Sequence, residues 1–141
     1  MKGTIASKKG FYVGDICYVL ADKLYHGVWG KNGYKDGEYI DPETGLKFAV
    51  AGTAYGDGEY EGSDGVFYGV DAGVIGIVPL ELVEKVRGLE NGSVHESAGE
   101  AEMEAEDGVF KFTFPNGKEI VILTGDMDED DGDDGLEWWQ K

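Results

Sequence analysis

Basic residues are scarce in this chain: 12 Lys and Arg stand against 29 Asp and Glu, a net charge of −17. So few cations cannot neutralise a run of phosphates, and direct nucleic-acid binding is not expected. The single cysteine, Cys17, rules out an internal disulfide and fits a reducing, cytoplasmic setting. Two histidines, His26 and His95, are too few for zinc sites of the usual ligand counts. No apolar run reaches the roughly 18–20 residues of a membrane-spanning helix. The first residues also lack the apolar stretch of a secretory signal. A phosphate-binding glycine loop, a G-x-S-x-G elbow and a Ser/His/Asp pattern are likewise missing.

What is present points to strands. The 24 glycines among 141 residues call for many turns, and 41% hydrophobic residues are enough for a core. The expected fold is mainly β, a β-rich α+β class: a twisted antiparallel sheet or partly open barrel with two short helices and a C-terminal β-meander. Residues 1–125 form the expected domain, and 126–141 an acidic tail. "GFYVGDICYVL" (10–20) reads as a strand bulged at Gly14-Asp15. A short helix is expected after it, ending near Gly30 or Gly33 with Leu24, Val28, Tyr25 and Trp29 on its inner side. "DPETG" (41–45) is a turn, and residues 38–78 look like a meander. "VFYGVDAGVIGIV" (66–78) reads as one inner strand kinked at Asp71-Ala72-Gly73. Pro79 opens a second short helix, and 88–99 is a polar connector.

The segment 100–124 is the most informative. Helix propensity favours Glu100–Glu106, yet a helix would stack like charges at i,i+4, whereas the acid/apolar alternation has a strand's period of two. A turn at Asp107-Gly108 pairs Ala101 with Phe114, Met103 with Phe112 and Ala105 with Phe110 on one face. The other face then sets Glu104 opposite Lys111 and Glu102 opposite Thr113. Asn116-Gly117 turns the chain into a third strand.

Three groups of residues are candidates for chemistry. Asp126, Asp128 and Asp130 have EF-hand spacing with Glu137 at position 12, but Asp131 occupies the glycine position. A solvated tail and a weak, non-EF divalent-cation (Ca2+) site are therefore both open. Trp138 and Trp139 end the tail as anchors for the body or for a partner. Asp15 and Asp71 each interrupt an apolar stretch, so each needs a partner. Either each is bonded to backbone N–H groups, or they share a carboxylate site with Asp57, with Cys17 on the same face as Asp15. The aromatic stock is uneven, all eight tyrosines lying between Tyr12 and Tyr68. With Trp29 they fill a thin core or floor a cleft.

"YVGDICYVL", "AGTAYGDGEY" and "GVDAGVIGIVPLELV" resemble a family of small phage and bacterial proteins. These share an Asp-Cys-Tyr strand, a GDG-x-Y turn and a VD-[Ala/Ser]-G strand ending in Val-Pro. The resemblance covers roughly residues 10–85. It implies that Asp15, Cys17, Tyr18, Asp57, Tyr60, Asp71 and Gly73 form one constellation, and that the origin is a phage or mobile element. It implies no catalytic roles.

Charge divides the chain: residues 1–89 carry 13 acids against 9 bases, residues 90–141 carry 16 against 3. The expected function is an acidic, non-enzymatic protein that binds a basic protein partner through Glu100, Glu102, Glu104 and the tryptophans. The alternatives are a ligand, cation or enzyme site on Asp15, Asp57 and Asp71, or a DNA-mimic inhibitor. For the last, carboxylates spaced about 6.5–7 Å along a strand would match alternate phosphates of a DNA strand.

Overall fold

The computed structural model describes residues 1–124. The sites proposed for Asp126, Asp128, Asp130, Glu137, Trp138 and Trp139 lie outside the described residues. Eleven strands are described: β1 Lys2–Ser7, β2 Phe11–Gly14, β3 Gly37–Ile40, β4 Lys47–Gly52, β5 Gly58–Glu61, β6 Phe67–Val70, β7 Val74–Pro79, β8 Ser93–His95, β9 Gly99–Glu106, β10 Val109–Thr113 and β11 Glu119–Leu123. They form a four-stranded sheet in the order β1-β9-β10-β11, a five-stranded sheet β3-β4-β7-β2-β8, and the hairpin β5-β6. All pairings are antiparallel and the sheets do not close into a barrel: the fold is a β-rich α+β one. No helix among the described residues is long and apolar enough to cross a membrane.

The C-terminal meander has the register expected from its pattern. Phe110 faces Ala105, Lys111 faces Glu104, Phe112 faces Met103 and Thr113 faces Glu102. Asp107 and Gly108 both take positive φ, 52° and 80°, as a two-residue I′ turn requires. A fourth strand, β1, joins β9 along its whole length although the two lie about a hundred residues apart. Its Gly3, Ile5 and Ser7 face inward in strict alternation.

The five-stranded sheet is a middle layer. On one face Phe11, Val13, Ala49, Ala51, Ile75 and Ile77 pack with the inner side chains of the four-stranded sheet and with Tyr68 and Val70 of the hairpin. On the other, Tyr12, Phe48, Val50, Val74 and Val78 pack with Ile16, Leu20, Leu24, Trp29 and Leu82. The helical segment on that second face runs from Asp22 to Asn32 and stops at Gly33, as expected, but its centre, Tyr25–Trp29, is a π-turn around Gly27.

Several sequence expectations need correction. Residues 10–20 are not one bulged strand: β2 ends at Gly14, and Asp15 caps a 310 turn, Ile16–Tyr18. Residues 66–78 are two strands in different sheets, β6 and β7, joined at a corner by Asp71–Gly73. β4 pairs with β7 directly, so 38–78 is a meander interrupted by an extruded hairpin. Pro79 ends β7 rather than starting a helix, and two 310 segments, Leu80–Leu82 and Val86–Asn91, follow. Glu84 and Lys85 donate their N–H groups to the Val19 carbonyl at 2.9 and 3.1 Å, which draws the chain out of helical geometry. The connector at 88–99 contains β8, hydrogen-bonded to β2.

Candidate functional site

Asp15 is fully buried, and its carboxylate accepts three hydrogen bonds from the backbone and one from the Cys17 thiol. Oδ1 accepts from the Cys17 N–H at 2.9 Å, and Oδ2 accepts from the Asp71 and Ala72 N–H groups at 2.7 Å each. Of the two readings of Asp15, this geometry is the structural one. The carboxylate closes the 310 turn after β2 and clamps the β6–β7 corner onto it. The burial of a charge is offset by the donors aimed at it.

The other residues of the constellation gather around that corner through backbone contacts. Thr53 donates its N–H to the Gly73 carbonyl at 2.9 Å and its hydroxyl to the Gly56 carbonyl at 2.6 Å. Tyr60 donates to the same Gly56 carbonyl at 2.8 Å. A Cβ on Gly73 would stand 3.6 Å from the Gly56 Cα, so the GDG turn rests against the corner. The side chains of Asp57 and Asp71 are exposed and Asp15 is sealed beneath, so the three carboxylates do not share one surface. Cys17 and Tyr18 are half-buried beside Asp71. Burial, followed by the neighbouring Asp15 carboxylate, pushes the Cys17 thiol up to about 12. The thiol stays protonated near neutral pH and lacks the character of a nucleophile.

The twin segments "YKDGEY" and "YGDGEY" share one device. In each, a glycine at φ 151° (Gly37, Gly58) opens a strand, and the tyrosine two residues on donates back four residues, Tyr39 to the Lys35 carbonyl and Tyr60 to that of Gly56. At that φ a side chain is strained, and glycine is the residue for it. Asp36 is used structurally, accepting from the Gly52 N–H at 3.0 Å.

On the outer face of β9, Glu100, Glu102, Glu104 and Glu106 are all exposed in one row. Glu104 pairs with Lys2 at 3.6 Å across the edge, while Lys111, opposite it on β10, turns to Glu119 at 3.7 Å. Both pairs are solvent-exposed, and such pairs contribute little to stability.

Three further features were missed in the sequence. Tyr25, His26, Trp29 and Tyr34 form an aromatic patch, with Tyr25–Trp29 and Trp29–Tyr34 rings edge-on at 5.1 and 5.0 Å. Tyr34 is held at φ 56°, and its hydroxyl meets His26 Nδ1 at 3.0 Å. A surface groove of about 430 Å³ runs between Ala6, Leu46 and Gly99, with Lys8, Glu81 and Glu100 on its walls. Lastly, Asp64, Tyr68, Ser93 and His95 form a chain of three contacts, each 2.7 Å long. The Ser93-x-His95 spacing could have signalled that chain had 93–95 been read as a strand. Among the described residues, no group of three or more His, Cys, Asp or Glu is arranged to hold a metal ion.

No protein-family model, curated protein or solved structure matches this chain.

Proposed function

We propose that this is a small acidic, non-enzymatic binding protein that meets a basic protein surface through the outer face of the four-stranded sheet. The observation that carries this reading is the β9 register, which turns Glu100, Glu102, Glu104 and Glu106 outward together while Ala101, Met103 and Ala105 enter the core. A rigid row of carboxylates steers and orients a cationic partner better than the same charges on a loop. The competing enzyme reading loses its central group, because Asp15 is sealed from the surface and its carboxylate is held by three backbone N–H groups. The DNA-mimic version has less support than the general one, since Lys2 and Lys111 flank Glu104 and interrupt the row's charge. A phage or mobile-element origin fits a protein that blocks a basic host surface.

The test uses immobilised poly-L-lysine as probe and compares two triple variants of equal net charge. Glu100→Gln/Glu102→Gln/Glu104→Gln should elute at clearly lower salt than Asp57→Asn/Glu59→Gln/Glu61→Gln, whose changes lie on the exposed turn and hairpin. Equal elution of the two would mean that bulk charge alone acts, and would sink the reading.

A further inference from the structure

We infer that the groove at the outer edge of β1 takes a short extended segment of the basic partner, added to the sheet as a strand opposite Ala6. This rests on the reading of the outer glutamates as the partner-binding row. Hydrogen-bond alternation fixes which groups of β1 are free. Met1 and Ala105 exchange both of their backbone bonds, at 2.6 and 2.9 Å. In the antiparallel register Gly3, Ile5 and Ser7 therefore bond to β9, while Lys2, Thr4 and Ala6 turn their N–H and C=O groups to the open edge. Carboxylates close that edge on both sides of Ala6. Glu38 accepts from the Thr4 N–H, and Glu81 accepts from the Lys8 N–H at 2.9 Å. Among the described residues, the N–H and C=O of Ala6 have no partner, and Ala6 lines the groove.

The chemistry of the occupant follows from the faces. Ala6, Leu46 and Gly99 give the groove apolar surface, and Glu81 and Glu100 outnumber Lys8 on its walls. Ser7 Oγ donates to Glu81 as well, so that carboxylate is fixed in place. Glu100 is also a member of the β9 row, which makes groove and row continuous. An antiparallel segment meets the single opening with one residue that exchanges both bonds with Ala6. Residues directly opposite share a face, so that residue lies beside Ala6 and Glu100 on the outer side. A Lys or Arg there reaches across the short Ala6 side chain to the Glu100 carboxylate. Its two neighbours point the other way, toward β4 and Leu46, where aliphatic side chains fit. The groove therefore suits an extended aliphatic–basic–aliphatic segment, bound by strand addition. Occupants from this chain carry the wrong sign. A second copy brings a net charge of −17, and residues 125–141 hold eight acids against one base.

The probe is the peptide acetyl-Lys-Val-Lys-Val-Lys-amide, titrated into the full chain at low salt and followed by NMR of the backbone amides. A second peptide, N-methylated at every lysine backbone nitrogen, has equal charge but lacks the donors that strand addition needs. The Ala6 amide should shift with the first peptide, which should bind about fivefold more tightly than the second, the effect of one backbone hydrogen bond. Ala6→Pro replaces the outward N–H with a ring carbon while leaving the β1–β9 bonds, a place where an edge strand accepts proline. It should abolish the preference between the peptides and leave retention on poly-L-lysine, which scores the glutamate row by charge alone, at the wild-type salt. Equal affinity of wild type for the two peptides, or an unmoved Ala6 amide, would overturn the groove. The glutamate-row reading would survive that result, since it falls only when the two triple variants elute together. An Ala6 amide that shifts with protein concentration alone would assign the edge to a second copy and overturn the inference as well.

Discussion

Asp15 shows what a single residue can and cannot announce. A carboxylate inside "FYVGDICYVL" is expensive unless paired, so the sequence signals that a partner exists. It does not say which, because the partners are the N–H groups of Asp71 and Ala72, 56 and 57 residues away. Asp57 and Asp71 look equally conspicuous in the sequence, yet their side chains are exposed. Asp15→Ala would orphan three backbone donors at once. We expect it to lower unfolding stability by about 3–5 kcal/mol in urea titrations. Asp15→Asn, which keeps one acceptor oxygen for the corner but turns an NH2 toward a donor, should cost distinctly less. An Asp15→Ala variant as stable as wild type would show that water can replace the carboxylate.

Among the elements, legibility followed contact distance. The β9–β10 register was readable to the residue, and β11 as a third strand, because each pairs with its sequence neighbour across a short turn, and alternation then fixes the face. β1 and β8 were not, since β1 finds its partner near the far end of the chain and β8 has three residues, too few for periodicity to show. The break of 66–78 into two strands was hidden for a related reason. Val66–Val78 is apolar apart from Asp71, although β6 buries only Tyr68 and Val70 while β7 is buried throughout, and composition does not record a change of sheet. The two faces of the meander should respond very differently to substitution. Phe112→Ala, at a fully buried position, should cost about 3–5 kcal/mol. Glu104→Gln on the exposed face should stay within about 0.5 kcal/mol. Denaturant midpoints of both variants, measured with unchanged m-values, would test this contrast.

The whole molecule separates its duties by layer. The four-stranded sheet turns acids outward, the helical layer carries the aromatic patch, and the five-stranded sheet between them contributes packing on both sides. That middle position leaves Val74, Ile75, Gly76, Ile77 and Val78 buried in succession, with even and odd positions serving different clusters. Gly76 has no spare room either, since a Cβ there would come within 2.3 Å of the Ala49 carbonyl oxygen. The consequence would be visible in a random-substitution library selected only for folding. Tolerance along β9 should rise and fall like a comb, free at each glutamate and closed at each inward neighbour. Along β7 it should form an unbroken gap, in which polar replacements are lost at every site from 74 to 78.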